Sequence, residues 1–349
     1  MTIPPDQPDP APPVPDSSRV AHPGSAHLDT VRERITAIDQ AATQYLRAQR
    51  PANTTRSYAG DWRVWCQYCA RVGVSSRDVS PGLVVGFALW LEQGDADMDR
   101  GPAAPATIRR RVYGAVAALR EQGTPVPEGA TAQANEAVKA YERRLAQAGE
   151  RRGRGSAPAV GVRQLREMCA ALPDTLAGTR DRAILLLGFA LAARRAELAQ
   201  LFVDDLTGDP HGLLVHIRSS KTGERTVAVP YGQRAATCPV RAWHTWQASA
   251  GLTGGRALRS LDRHGRLGES LTAHGIGRVI STAGEQAGLL NRVTAHSLRA
   301  GLATEARRAG HDTLSIARQG GWADDSAVLF GYMHTVDRWH DNPLTDLGL

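Results

Sequence analysis

Lysine is nearly absent from this chain. Among 349 residues there are 42 lysines and arginines, and only Lys139 and Lys221 are lysines. A coding bias toward G and C accounts for most of this preference for arginine. Each surviving lysine still raises a question, because an ammonium has a proton to give and a pKa that shifts easily, whereas a guanidinium does not.

Cysteine is scarce, and long apolar runs are missing. The four cysteines are too few for a disulfide framework in a chain of this length. Cys66 and Cys69 form a C-x-x-C pair, but no second pair or histidine stands at zinc spacing, which favours ordinary thiols over a metal or redox site. The sequence has no run of about 18 apolar residues and no signal-peptide pattern. It therefore predicts a soluble, intracellular protein.

Positive charge, in contrast, is in excess and unevenly placed. The formal net charge is +7. Residues 101–160 contain ten lysines and arginines against five acidic residues, so a net +5 falls there. An excess of this kind suits a polyanionic partner.

Composition divides the chain into four segments. Residues 1–28 are rich in proline, aspartate and serine and predict a disordered leader. Helical periodicity over 29–149 predicts a helical domain, and the basic, glycine-rich segment 150–158 predicts a linker. Residues 159–349 predict a second domain that mixes helices with short strands. The expected fold is mainly α, with a helical domain followed by an α+β domain that carries a small antiparallel sheet.

Two features of the second domain bear on function. An apolar helix is predicted over Arg180–Leu201, followed by strands at 201–206, 213–218 and 225–229. The last two strands form a hairpin with Lys221 at its tip.

The first domain offers one candidate binding surface. Tyr58, Trp62, Trp65 and Cys69 recur at helical spacing and predict core rather than base stacking. Arg109, Arg110 and Arg111 stand near the start of a predicted helix, where they oppose the helix dipole. A solvated face tolerates that arrangement, but an array of phosphates would reward it, so we expect these arginines to contact DNA.

The second domain contains the residue types needed to cut a phosphodiester. The reaction needs a nucleophile, cations to neutralise the extra charge on phosphorus, and an acid to protonate the leaving oxygen. Arg194 and Arg299 are candidate phosphate ligands, with Arg195 as a rival to Arg194. Glu197 falls three residues after Arg194, on the same helical face, where it can orient the guanidinium or a histidine.

Four further residues complete the candidate set. Lys221 is a candidate general acid, although turn lysines are usually just solvated. His296 shares a helical face with Arg299 and can accept the nucleophile's proton or bind the phosphate as a cation. Trp322 offers an indole N–H and a rigid wall. Tyr332 is the candidate nucleophile, whose pKa is ordinarily about 10; the plainer interpretation makes both aromatics packing residues.

The order of these residues resembles the tyrosine recombinase, or phage-integrase, family. The matching pieces are Arg194-x-x-Glu197, Lys221 on a hairpin, His296-x-x-Arg299, Gly-Gly-Trp322 and Tyr332. Gly-Gly-Trp in place of the commoner Gly-His resembles the Cre-like members. The resemblance extends, more weakly, over residues 40–340.

The resemblance implies both architecture and chemistry. A helical domain and a catalytic domain would clamp a DNA duplex, and Tyr332 would form a 3′-phosphotyrosine without metal or ATP. Four protomers on two inverted-repeat sites would exchange strands through a Holliday junction. By position, the catalytic set would be Arg194, Glu197, Lys221, His296, Arg299, Trp322 and Tyr332. His274 and Arg278 would face DNA from another helix of the catalytic domain.

One departure and two alternatives remain at this stage. The ten positions from Trp322 to Tyr332 are one more than the usual family spacing, and Gly331 could absorb the extra residue at a bent helix end. The same residues would serve a type IB topoisomerase-like enzyme that cuts without exchanging partners. They would also fit a non-catalytic DNA-binding protein on the same scaffold.

Overall fold

The chain forms two compact units, residues 1–153 and 154–349. This boundary falls inside the basic segment 150–158. A computed structural model describes residues 23–50, 52–153, 155, 157–218, 223–340, 342 and 344. Residues 1–22 of the predicted leader and the predicted hairpin tip at Lys221 lie outside the described residues. In the described part of the chain, no helix combines the length and hydropathy needed to cross a membrane.

The first unit is helical, and the second adds three strands. The helices of the first unit are α1 Pro23–Ala48, α2 Ala52–Val72, α3 Pro81–Gln93, α4 Pro105–Glu121 and α5 Ala130–Gln147. Those of the second are α6 Val162–Ala170, α7 Leu176–Ala190, α8 Arg195–Gln200, α9 Pro239–Ser249, α10 Ala273–Gln286, α11 Ala295–Arg308, α12 Thr313–Gly320 and α13 Ala327–His340. The strands are β1 Leu206–Asp209, β2 Gly212–Ile217 and β3 Arg225–Pro230. The expected fold, mainly α with a small antiparallel sheet, is confirmed.

Helix α1 begins earlier than the sequence predicted. It starts at Pro23, so residues 23–28 are helical rather than part of the leader. Proline is favoured in the first turn of a helix, because its missing N–H would have no partner there and its φ is already helical.

The core of the first unit lies among α2, α3, α4 and α5. Trp65 and Cys69 of α2 are buried with Phe87 of α3, and Trp65 meets Phe87 edge to face with ring centroids 5.2 Å apart. The prediction that the aromatic stripe of α2 is core is therefore confirmed for Trp65 and Cys69. Trp62 packs partly buried against the same core, and Tyr58 is only half-buried. Ser80 caps α3 by accepting a hydrogen bond from the Leu83 amide at 3.1 Å.

The second unit packs helices around an antiparallel sheet in the order β1–β2–β3. Leu213, Val215 and Ile217 of β2 are buried, whereas Leu214 is exposed, as the alternating pattern predicted. The predicted first strand at 201–206 is wrong, because residues 203–205 form a 3₁₀ turn and the strand begins at Leu206. The Asp205 carboxylate accepts a hydrogen bond from the Phe202 amide at 2.9 Å and so stabilises that turn.

The predicted continuous helix Arg180–Leu201 is also wrong. Helix α7 ends at Ala190, and Ala192 takes a left-handed conformation with φ of 43°. The Ala193 amide reaches back to the Gly188 carbonyl at 3.1 Å, which is the closing bond of a Schellman-type helix end. The chain then restarts as the short helix α8. Left-handed alanine has a cost of roughly 1 kcal/mol, and it is found beside the candidate site.

Candidate active site

Arg194 is the residue that caps helix α8. Its backbone amide donates to Glu197 Oε2 at 3.1 Å, and its Nη1 donates to Glu197 Oε1 at 2.5 Å. Glu197 is buried, whereas the Arg194 side chain is about a quarter exposed at 26%. The carboxylate therefore fixes one side of the guanidinium, as the i, i+3 spacing predicted. The rival, Arg195, is exposed and lines the groove that contains His296.

Arg299 is a buried cation in the middle of helix α11. Its Nη1 donates to two backbone carbonyls at 2.5 Å, those of Ala192 and Gly320. Its Nη2 has no hydrogen-bond partner among the described residues. Burial first, and then the charge of Arg194, lowers the pKa of Arg299 to about 9, which leaves the group protonated at neutral pH. The left-handed turn at Ala192 therefore supplies one of the carbonyls that hold this guanidinium.

Trp322 and Tyr332 form a continuous stack with Arg299. The guanidinium carbon of Arg299 lies 3.7 Å from the centroid of the Trp322 ring, a close cation–π contact. Trp322 meets Tyr332 edge to face, with centroids 6.3 Å apart and planes at 68°. Both aromatics also pack in a small apolar cluster with Ala303, Ile316 and Leu329. The plainer interpretation as packing residues is thus partly right, and the same packing places Tyr332 near the buried cation.

The extra position between Trp322 and Tyr332 is not absorbed at a helix end. Helix α13 runs unbroken from Ala327 to His340, with Gly331 inside it. The Tyr332 carbonyl accepts a hydrogen bond from the Thr304 hydroxyl of α11 at 3.3 Å. This bond links α13 to the helix that carries Arg299.

His296 and Tyr332 line one groove with a volume of about 1030 Å³. His274 and Arg278, one turn apart on α10, lie along the same groove together with Arg195. Of the candidate groups of the second unit, His274, Arg278, His296 and Tyr332 line this groove, and Arg299 and Trp322 stack with Tyr332. Arg194 and Glu197 form an ion pair whose charges act on Arg299.

His296 is perturbed by the cations around it. Partial burial first, and then the charges of Arg299, Arg194 and Arg195, lower the pKa of His296 below its ordinary value of 6.5. The ring is therefore neutral at physiological pH in the free protein. Of the two roles the sequence left open, a neutral imidazole favours accepting a proton over binding phosphate as a cation.

Arg225, at the start of β3, is a member of the site that sequence reasoning missed. Its Nη2 donates to Glu197 Oε2 at 3.0 Å, and its side chain is 12% exposed. Burial alone would raise the pKa of Glu197, but the hydrogen bond and charge of Arg225, and after them Arg194, hold it below the usual value. One available signal was its position, the first residue after the predicted hairpin tip in a strand that otherwise alternates small and apolar residues.

The other candidate DNA contacts belong to the first unit. Arg109 forms a two-pronged ion pair with Glu142, with both N–O distances 2.6 Å. Arg110 pairs with Asp61 at 2.5 Å, and Arg111 is half-buried. Two of the three arginines are therefore already neutralised inside their own unit. Their contact with DNA stays a prediction.

Chemically, the second unit combines an excess of buried positive charge with a phenol and a neutral imidazole. Three guanidiniums, those of Arg194, Arg225 and Arg299, lie around one carboxylate, so their positive charge is only partly compensated. This is the arrangement expected of a site that stabilises a pentavalent phosphorane.

Sequence comparison matches this half of the chain to one family. A model described as the phage integrase family matches residues 160–338. An integrase/recombinase xerD homolog of Selenomonas ruminantium is 31% identical over 291 residues, covering 80% of this chain and 80% of that protein. Tyrosine recombinase XerC of Syntrophus aciditrophicus is 31% identical over 151 residues, covering 41% of this chain and 46% of that protein.

Solved structures share the fold at low sequence identity. XerH site-specific recombinase bound to palindromic difH substrate, in its post-cleavage complex, matches with a TM-score of 0.54 and 15% identity, over 81% of this chain and 76% of that one. Lambda integrase (residues 75–356) bound to DNA matches with a TM-score of 0.53 and 14% identity, over 87% and 96%. The Cre-like character suggested by Gly-Gly-Trp322 stays a prediction.

Proposed function

The chain belongs to the phage integrase family and is a tyrosine site-specific recombinase, and from this premise we propose that Tyr332 cuts DNA by attacking a backbone phosphate in the groove. The observation that carries the proposal is the stack Arg299–Trp322–Tyr332. It places the candidate nucleophile next to a buried cation that belongs to the candidate phosphate site.

Each step of the proposed cleavage has a residue assigned to it. The Tyr332 oxygen forms a bond to phosphorus while the bond from phosphorus to the 5′ oxygen breaks. The tyrosine proton passes to His296, which is neutral in the free protein. Lys221, whose position lies outside the described residues, would protonate the leaving 5′ oxygen. The products are a 3′-phosphotyrosine and a free 5′ hydroxyl.

Arg194 and Arg299 would neutralise the charge that develops on phosphorus. Arg194 has a partly exposed guanidinium that is held on one side by Glu197. Arg299 is buried and acts from behind Trp322, with the position of its charge fixed by two carbonyls. Rigid donors of this kind need little reorganisation as the transition state forms.

The partner would be double-stranded DNA carrying an inverted-repeat site. Related structures contain DNA, and one is a lambda integrase tetramer bound to a Holliday junction. We propose that four copies of this chain act on two sites in the same way, each free 5′ hydroxyl attacking the phosphotyrosine of the partner strand. Arg278 and Arg195 along the groove suit a phosphate backbone.

A covalent trapping assay tests the proposal. Selection from random duplexes with purified Tyr332→Phe protein would first recover a binding site. The same site, nicked near the scissile phosphate so that the cleaved fragment diffuses away, should accumulate covalent complex with the wild type. Tyr332→Phe should bind the duplex equally and trap nothing.

Two outcomes would overturn the proposal. Trapping by Tyr332→Phe would assign the nucleophile elsewhere, and binding without any adduct from the wild type would indicate a non-catalytic DNA-binding protein. Relaxation of supercoiled DNA by single copies, without strand exchange between sites, would instead favour the topoisomerase-like alternative.

A further inference from the structure

Arg225 has contacts that the proposed chemistry does not yet explain. It shares the Glu197 carboxylate with Arg194. Arg225 Nη2 lies 3.0 Å from Oε2, which also accepts from the Arg194 amide at 3.1 Å, and Arg194 Nη1 lies 2.5 Å from Oε1. Glu197 is almost fully buried, at 3% exposure. We infer that Arg225 is a positioning residue for strand cleavage, which shares the Glu197 carboxylate and so limits how tightly that carboxylate holds the Arg194 guanidinium. This inference rests on the proposed function.

The charge balance of the site gives the physical reason. With Arg225 present, Arg194, Arg225 and Arg299 face one carboxylate, an excess of two positive charges. Without Arg225, Glu197 would pair with Arg194 alone, and the excess would fall to one. A buried ion pair attracts strongly because the surroundings screen it poorly. The guanidinium of Arg194 would then be held by Glu197 rather than shared with a phosphate.

The packing of Arg225 supports a role behind the site. Gly321 has a φ of 61°, and a Cβ at that position would lie 2.9 Å from both Cδ and Nη1 of Arg225. The turn that leads into Trp322 therefore packs directly on this guanidinium. The neighbouring Gly320 carbonyl accepts from Arg299 at 2.5 Å. Arg225 thus contacts Glu197 on one side and supports the turn that holds Arg299 and Trp322 on the other.

Direct contact between Arg225 and substrate does not fit the geometry. Nε and Nη1 of Arg225 are closed off from solvent and have no hydrogen-bond partner among the described residues. Its third nitrogen, Nη2, is already bonded to Glu197. Arg225 therefore acts through Glu197 and the turn, which distinguishes it from the residues proposed to touch phosphate.

Three variants of the full chain test this role in the trapping assay. Arg225→Met should lower the single-turnover rate of covalent complex formation by about 10- to 100-fold, the usual range for a residue that orients a catalytic group, with an unchanged Kd for the duplex. Arg225→Lys should retain more of the rate, because it keeps the charge. Adding Glu197→Gln to Arg225→Met should recover the rate by roughly 3- to 10-fold, because Arg194 no longer faces an unshared carboxylate.

The double substitution separates positioning from simple support of the fold. If Arg225 only fills space, removing Glu197 as well should add a second loss, and that outcome would overturn the inference. Arg180→Met is the matched control, since Arg180 is a buried arginine paired with Asp181 at 2.7 Å near the other end of α7. It should lower the melting temperature and leave cleavage by the folded fraction unchanged.

The remaining outcomes distinguish failure of this inference from failure of the proposed function. If Arg225→Met does not fold, Arg225→Gln, which also removes the charge, gives the same comparison with and without Glu197→Gln. Cleavage by Arg225→Met at the wild-type rate refutes this inference alone. Absence of any adduct from the wild type refutes the proposed function instead.

Discussion

The candidate arginines of the two units are paired differently. In the first unit, Arg109 and Arg110 each have their own carboxylate, Glu142 and Asp61, at 2.5–2.6 Å. In the second unit, Arg194 and Arg225 share Glu197, whereas Arg299 makes no direct ion pair among the described residues and is held by carbonyls and the Trp322 ring.

This difference in pairing distinguishes arginines that stabilise the fold from arginines whose charge an anionic ligand can neutralise. A cation paired one to one is satisfied within the fold and adds little attraction for a ligand. A cluster with more cations than anions, in a poorly screened site, is stabilised when a phosphate enters. Composition alone cannot make this distinction, because almost every basic residue of the chain is arginine.

The largest expected effect on the cleavage rate comes from removing Arg299, which makes no direct ion pair among the described residues. Arg299→Gln should lower the cleavage rate of bound duplex by about 100- to 1000-fold, as expected for loss of a fixed charge at the reacting phosphate. Arg110→Gln, a change of the same size in a paired arginine, should leave that rate unchanged once binding is saturated. Single-turnover trapping measures both. Equal losses would show that the pairing difference has no functional meaning.

Arg110→Gln, which should leave the cleavage rate unchanged, should instead lower the stability of the fold. Asp61 is 2% exposed, and Gly114 makes room for it, since a Cβ there would lie 2.5 Å from Asp61 Oδ2. Burial raises the pKa of Asp61 and Arg110 opposes that rise. Arg110→Gln should therefore cost about 1–2 kcal/mol at neutral pH, a value reduced for the partial exposure of Arg110.

Urea denaturation, followed through the unfolding transition of the first unit, measures this loss of stability. Because the folded pKa of Asp61 is raised, its stabilising contribution is greatest below its ordinary pKa and is lost as pH rises. The deficit of Arg110→Gln should therefore shrink on acidification, and adding Asp61→Asn should remove most of it. If Arg110→Gln loses the same stability at every pH, the loss does not come from leaving the Asp61 carboxylate without its partner.

A smaller effect is expected from a free anion. Inorganic phosphate at about ten times its Kd should stabilise the wild type by about 1.4 kcal/mol, seen as a rise in melting temperature over sodium chloride of equal ionic strength. Arg299→Gln should lose most of this rise, whereas Arg109→Gln should keep it. If Arg109→Gln loses it equally, phosphate binds to general surface charge rather than to the cluster.

The sequence predicted most of the helices and strands, and it predicted which residues contact each other at two points of the candidate site. Glu197 falls where its spacing from Arg194 indicated, and Trp322 and Tyr332 meet although ten positions separate them. Those successes rest on local periodicity and on the order of motifs, which a single sequence displays. Lys221 could not be tested, because it lies outside the described residues.

The failures involve contacts between residues distant in sequence. The helix breaks at Ala192, where the sequence has neither glycine nor proline. The Ala192 carbonyl accepts a hydrogen bond from Arg299, 107 positions away. Arg225 lies 28 positions from Glu197, so no helical spacing links them. The pairing of Arg110 with Asp61 spans 49 positions, and three consecutive arginines read alone could not reveal it. Tertiary packing decided all three.

The smallest expected effect is a titration shift at His296. Partial burial first, and then the cations of the second unit, lower the pKa of this ring below 6.5 in the free protein. Arg195→Gln removes one of the cations that lower the pKa and should move the midpoint upward, whereas Arg109→Gln, in a balanced pair, should leave it in place. Ring nitrogen chemical shifts followed by NMR against pH would measure it. Because the unfolded chain binds this proton more readily, His296 also costs stability as pH falls below 6.5, and His296→Gln should remove that part of the acid sensitivity. A midpoint at or above 6.5 in the wild type would mean that the charge excess does not reach the ring, and the role of His296 as proton acceptor would lose its support.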